Sequence, residues 1–306
     1  MSTETTRSRR PGHDLLSLLS TRLTARDRWL LRMLLEHKVF TTEHVADLAF
    51  AGNRDTADHR LLVLHRLDVL TKVRPLRPGG GSAPCHWLLN TAGAEVVAAE
   101  RGLTLKELGW RRDRTGAVML SAKLGHLLGV NGFFARLAAP TGQGRLAEWW
   151  PEARCAVTWK KFVQPDGYGR WSTADRRLDF FLEYDNGTET LSRVVAKTEG
   201  YGRLIRATGI STPLLFYFTS TRREANFRRS CSAAAVPVLT ASHDETLRHP
   251  SGPIWADLHR DDRRLLVDFA RPAEQQRAGA GSASSSLEPS AWTTHPTELA
   301  GVPCRR

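Results

Sequence analysis

The runs LDFFLEYD at residues 178–185 and TPLLFYFTS at residues 212–220 constrain this chain most. Both are too continuously apolar for a half-exposed strand, and the second is of the kind covered on both faces of a sheet. Between them, ETLSRVVAKTEGYGRLIRAT places Leu191, Val194, Val195 and Leu204 on one helical stripe. Upstream, LSAKLGHLLGVNGFFARLAAP predicts a helix whose apolar face is Leu120, Leu124, Leu127, Leu128, Phe134 and Leu137. EARCAVTW (residues 152–159) alternates like a strand, residues 162–171 read as extended, TRREANFRRSCSAA as a helix and VPVLTAS as a strand. The resulting order, αβββαβαβ, is that of an α/β sandwich with a mixed sheet.

Acids gather around the first of those strands. Pro165-Asp166 opens the run QPDGYGRW, Glu183 and Asp185 stand at the exit of residues 178–182, and Lys197 follows about two turns into the next helix. A hard cation such as Mg²⁺ takes carboxylate oxygens from separate elements, and phosphodiester hydrolysis needs positive charge to hold water or stabilise developing charge. Asp166, Glu183 and Asp185 are therefore candidate metal ligands, with Lys197 as a candidate catalytic group. His126, on the preceding helix with Asn131, is a candidate ligand or general base, against the alternative of a structural histidine. Glu152 could add a carboxylate or be a solvated edge acid. Asp179 beside Arg176 and Arg177 reads as a surface ion pair. Trp149, Trp150, Trp159 and Trp171 could stack on unpaired bases, but core packing is the expectation for most of them.

The first third of the chain has another character. Thr24 with Asp27 makes a capping signal for a helix bearing Leu30, Leu31, Leu34 and Leu35. Thr41 or Thr42 caps a second helix, and Asn53 a third running to about Leu70. Two short extended runs follow around a Pro/Gly/Ser turn, then a helix from Thr91, which is the element order of a winged helix-turn-helix. On the third helix Ala57, Leu61, Leu64 and Asp68 share one side. That leaves Arg54, Thr56, His59, Arg60 and Arg66 as candidate DNA contacts, with Lys72, Arg74 and Arg77 on the hairpin. Asp55 and Asp58 would repel phosphate, and the alternative is a winged helix that binds protein.

Charge narrows the partners. Lys and Arg number 44 against 32 Asp and Glu, a formal charge of +12, which points to nucleic acid or an anionic surface. No run approaches the roughly 20 apolar residues that span a bilayer, and the first residues lack the apolar core of a signal peptide, so a cytoplasmic protein is expected. Cys85, Cys155, Cys231 and Cys304 lie far apart with no CxxC pair, which suggests isolated reduced thiols. The expected division is a flexible basic arm at 1–22, a winged helix at 23–102, a connector at 103–119, an α/β domain at 120–270 and a disordered Ala/Gly/Ser/Pro-rich tail at 271–306. Trp292 and Leu299 in that tail could be a short docking motif.

The order αβββαβαβ resembles the PD-(D/E)XK nuclease superfamily, implying a three-layer α/β/α restriction-endonuclease-like domain. The resemblance makes Asp166 the first metal-binding acid and Glu183 the second. Where that pattern has lysine two residues on, this chain has Asp185, and Lys197 could compensate. Through LLEHKVFTTEHVADLAF, HLLGVNGFFARL, QPDGYGRW, DFFLEYDNGTE and VVAKTEGY, the chain from about residue 24 to 242 also resembles the bacterial replication-relaxation family. That resemblance implies a DNA-associated protein of plasmid or mobile-element replication, relaxation or maintenance, with double-stranded DNA and possible replication or transfer proteins as partners. A Mg²⁺-dependent endonuclease or nickase, and a docking subunit of a replication or transfer complex, are the alternatives.

Overall fold

A computed structural model describes residues 13–75, 83–231, 233–243, 249–272 and 290–293. These fall into two compact units, divided after Ser121. The first contains α1 (His13–Arg22), α2 (Ala25–His37), β1 (Val39–Thr41), α3 (Thr42–Ala49), α4 (Arg54–Arg66), β2 (Leu70–Val73), β3 (His86–Leu89), α5 (Thr91–Glu100) and α6 (Arg112–Leu120). Its three strands form an antiparallel sheet in the order β1-β3-β2.

Local chemistry starts these helices where the sequence predicts. Thr24 and Asp27 close a capping box on α2, Thr41 and His44 close one on α3, and the Asn53 side chain accepts from Thr56 N at the start of α4. Trp29, Leu30, Leu31 and Leu34 on α2 are buried with Val45, Leu48, Leu61, Leu64 and Trp87. Two differences stand out. Half of the stretch expected as a flexible arm is α1, whose Leu19 is fully buried; residues 1–12 lie outside the described ones. The expected connector contains α6, which buries none of its residues.

The second unit runs α7 (Leu124–Ala138), β4 (Arg145–Pro151), α8 (Glu152–Trp159), β5 (Gly167–Ser172), β6 (Arg176–Asp185), α9 (Leu191–Thr208), β7 (Leu214–Phe218), α10 (Thr221–Ser230), β8 (Val238–Ser242), β9 (Ala256–Asp257) and β10 (Arg271–Pro272). The sheet order is β4-β5-β6-β7-β8-β9, with β10 paired to β6. β6, β7 and β8 are mutually parallel and the other pairings antiparallel, so the sheet is mixed. Helices cover both faces. Phe133 and Phe134 of α7 meet Phe180, while Trp159 of α8 and Tyr201 of α9 meet Phe181 on the opposite face. Alternation along β6 therefore sends Glu183 and Asp185 toward the side of α9. All four candidate stacking tryptophans are buried.

EARCAVTW is helical, which corrects the strand expectation. A strand would have put Cys155, Val157 and Trp159 on one face; in α8, Cys155 and Trp159 are buried one turn apart and Val157 is 73% exposed. The first strand of the sheet is instead β4. Leu120 does not belong to the α7 face either, because it ends α6, ahead of the start of α7 at Leu124, and is 90% exposed. One glycine of α7 has a packing reason: a Cβ on Gly129 would lie 2.2 Å from the Tyr184 ring.

The expected tail is partly ordered. Arg271 and Pro272 pair with Arg177 and Arg176, and a short 3-10 turn, Ala291–Thr293, packs Trp292 into the core. Its indole Nε1 donates to Leu146 O at 2.9 Å, and its ring meets Trp149 edge-on. Residues 273–289 and 294–306, with Leu299 and Cys304, lie outside the described ones. Among the described residues no single helix is long and apolar enough to cross a membrane.

Candidate functional site

The loop before β5, the end of β6, α7 and α9 together build a charged cluster. Asp166 Oδ2 accepts from the Tyr184 backbone N–H at 2.8 Å, which fastens this loop acid to β6. Its Oδ1 lies 2.9 Å from His126 Nε2 on α7, and the His126 ring meets Tyr184 edge-on. Glu183 is almost fully buried and its two oxygens have different partners. Lys197 Nζ reaches Oε2 at 2.8 Å, and Tyr201 Oη donates to Oε1 at 2.5 Å. Lys197 also touches Glu189 Oε2, at 3.0 Å, on the loop between β6 and α9. The helical spacing of Lys197 and Tyr201 places both over the same strand residue.

Asp185 points to the same face but is held elsewhere. Both its oxygens stand 3.0 Å from Arg223 Nε on α10, and Gly187 N donates to Oδ1 at 2.6 Å. Among the described residues, no three His, Cys, Asp or Glu side chains are grouped so as to hold a metal ion. The three expected carboxylates, Asp166, Glu183 and Asp185, are thus not gathered into one cluster, because Asp185 is taken up by Arg223. Glu152 accepts from Gln164 Nε2 at 2.6 Å. Asp179 is buried, not at the surface, and it pairs with Arg170 and Arg177, not Arg176. Tyr201, Glu189 and Arg223 were not singled out from the sequence. The one-turn spacing from Lys197 could have indicated Tyr201; nothing local marks the other two.

Burial, and then the charge of Asp166, push the Glu183 carboxyl up to about 7 against the pull of Lys197 and Tyr201. Burial opposes charge on Lys197, but Glu183 and Asp166 outweigh it and hold the ammonium form. Burial likewise works against the His126 imidazolium, and the Asp166 hydrogen bond and charge reverse that, raising its pKa. A carboxyl raised from 4.5 to about 7 stabilises the fold fully below 4.5 and loses that contribution as pH rises through 7. His126, also raised, loses its contribution in the same sense, above its ordinary value. We expect metal-free urea denaturation to show stability falling by up to about 3 kcal/mol across this window because of Glu183. Glu183→Gln should flatten that fall; identical pH slopes for the two proteins would contradict the assignment.

The candidate DNA contacts on α4 and the hairpin divide in two. Thr56, His59 and Arg66 are exposed, and Arg54 is exposed but lies 3.1 Å from Glu43. Arg60 faces inward: its Nε donates to Asp27 Oδ1 at 2.9 Å and its Nη2 binds Asp27 Oδ2 and Arg22 O. Since Asp27 is 2% exposed, Arg60 is a structural partner, which corrects its expectation as a base-reading residue. Lys72 lies over the Trp87 ring, and the Arg74 guanidinium donates to Cys85 Sγ at 3.0 and 3.3 Å. Arg77 lies outside the described residues.

The replication-relaxation family matches residues 31–218, more than half of the chain, from α2 through β7. No curated protein and no solved structure matches the chain.

Proposed function

Because the chain belongs to the replication-relaxation family, we propose that it is a DNA-binding protein acting in the replication, relaxation or maintenance of a plasmid or other mobile element. The first unit is read as a winged helix that grips duplex DNA. The observation that carries this is α4, which is capped by Asn53, is buried only along Ala57, Leu61 and Leu64, and presents Thr56, His59 and Arg66 to solvent. A short exposed helix beside an antiparallel hairpin fits the major groove. With the full chain, duplex affinity should fall with salt at a log-log slope of about −0.9 per neutralised phosphate. Arg66→Ala should reduce that slope by about one contact. An affinity indifferent to salt would count against duplex binding.

Contact between Lys197 and Glu183 favours a second reading, in which the second unit is a restriction-endonuclease-like domain that cleaves phosphodiesters. Mg²⁺ is commonly held by only one or two carboxylates, with water and substrate phosphate completing its shell. Asp166 and Glu183 would be that pair, an ion there displacing donors that their oxygens now accept from, His126 on Asp166 and Lys197 or Tyr201 on Glu183; Asp185 stays with Arg223. When bound, the ion supplies Lewis acidity toward a phosphoryl oxygen and a more acidic water. Lys197 then stabilises negative charge developing on the phosphate, Tyr201 holds the orientation of Glu183, and His126 fixes Asp166.

A further inference from the structure

Asp185 has lost the place among metal ligands that the sequence suggests for it, yet it is buried at the end of β6 and fully engaged. Its partner Arg223 also donates through Nη2 to Glu189 O at 2.5 Å. Arg223 itself sits in the first turn of α10, where its backbone N–H is capped by Ser220 Oγ. The loop thus anchored turns tightly at Gly187, whose φ is +81°, and carries the Glu189 carboxylate to Lys197 Nζ. We propose that Asp185 and Arg223 are positioning residues for Lys197, acting through the Glu189 loop to hold its ammonium over Glu183.

A lysine side chain has four flexible bonds, and one carboxylate leaves its ammonium free to swing about that contact. Two carboxylates at 2.8 and 3.0 Å, one on a strand and one on a pinned loop, define its place. The fork geometry of arginine suits the task, because one guanidinium can bind the Asp185 carboxylate and the Glu189 carbonyl together. Neither Asp185 nor Arg223 touches Lys197; their effect passes through the backbone of residues 186–190. The assignment rests on the reading of Lys197 as the charge-bearing group of the phosphodiester site.

The test is trace labelling of lysine amines with acetic anhydride on the full chain, read by mass spectrometry as the ratio of Lys197 to the exposed Lys161. Glu189→Gln changes a half-exposed side chain and leaves the core untouched. It should raise the Lys197 ratio about two- to fivefold, as expected for loss of one partly exposed ion pair. Arg223→Lys, which keeps the charge but not the fork, should raise it in the same direction while circular dichroism stays unchanged. A wild-type Lys197 ratio in the Arg223→Lys protein would overturn the proposal, whatever Glu189→Gln shows. Failure of the phosphodiester reading is seen separately, as absence of Mg²⁺-dependent nicking by the wild-type chain, and does not alter the labelling ratio.

Discussion

In Mg²⁺ buffer, Glu183→Gln or Asp166→Asn is expected to slow nicking of supercoiled DNA by about a thousandfold or more, the rate equivalent of several kcal/mol of metal stabilisation. Duplex affinity should barely change, since the loss falls on the transition state and the proposed duplex contacts lie on α4 and the hairpin, not on these acids. Calorimetric titration gives a second readout: the wild-type chain should bind Mg²⁺ saturably and both variants much more weakly. Asp185→Asn should leave that titration nearly intact, because its carboxylate belongs to Arg223. Nicking that survives loss of both Asp166 and Glu183 would remove these acids from the chemistry. A wild-type chain without nicking or metal binding would leave the DNA-binding reading alone standing.

Arg60→Ala should cost about 1–3 kcal/mol of stability, because the Asp27 carboxylate loses its charged partner and keeps only the Thr24 N–H and hydroxyl as donors. Asp27 is 2% exposed and receives two donors from Arg60. It also belongs to the capping box of α2, so the loss should reach both helices. Replacing the pair by apolar residues, Arg60→Met with Asp27→Leu, should recover part of the Arg60→Ala deficit, tempered by loss of the cap. Urea denaturation of the wild type and the two variants decides the matter. An Arg60→Ala protein as stable as wild type, but altered in which DNA sequence it prefers, would return Arg60 to the groove.

The contrast between Arg60 and Lys197 shows what was legible. Periodicity and capping chemistry are local, so α2, α3, α4 and α9 could be placed from Thr24, Thr41, Asn53 and the stripe through Leu191, Val194 and Leu204. Lys197 could be connected to Glu183 because a helix following directly on a strand must fold back across it, and the structure brings them to 2.8 Å. Arg60 and Asp27 carry opposite charges 33 residues apart, and each read alone is an ordinary solvated side chain. Asp185 and Arg223 are similar: their meeting depends on β7 lying parallel to β6 and on where α10 begins, neither of which leaves a mark near residue 185. Residues 152–159 misled for a different reason. Apolar residues at 155, 157 and 159 mimic a strand, and only the exposure of Val157 in the folded chain shows that the period is helical.

Trp292 sets a timetable for synthesis. Leu146 lies on β4, the edge strand of the sheet, and its carbonyl and the neighbouring Trp149 ring are completed by an indole made 146 residues later. While the ribosome is still adding residues 273–291, the second unit can pair its strands but cannot seal that edge. A nascent edge with an uncovered tryptophan beside it is the kind of surface that pairs wrongly with a neighbouring chain. A message truncated within this stretch would therefore release a chain with the whole acidic cluster encoded but with Leu146 O and the Trp149 ring left uncovered, whereas slow translation would only prolong that exposure.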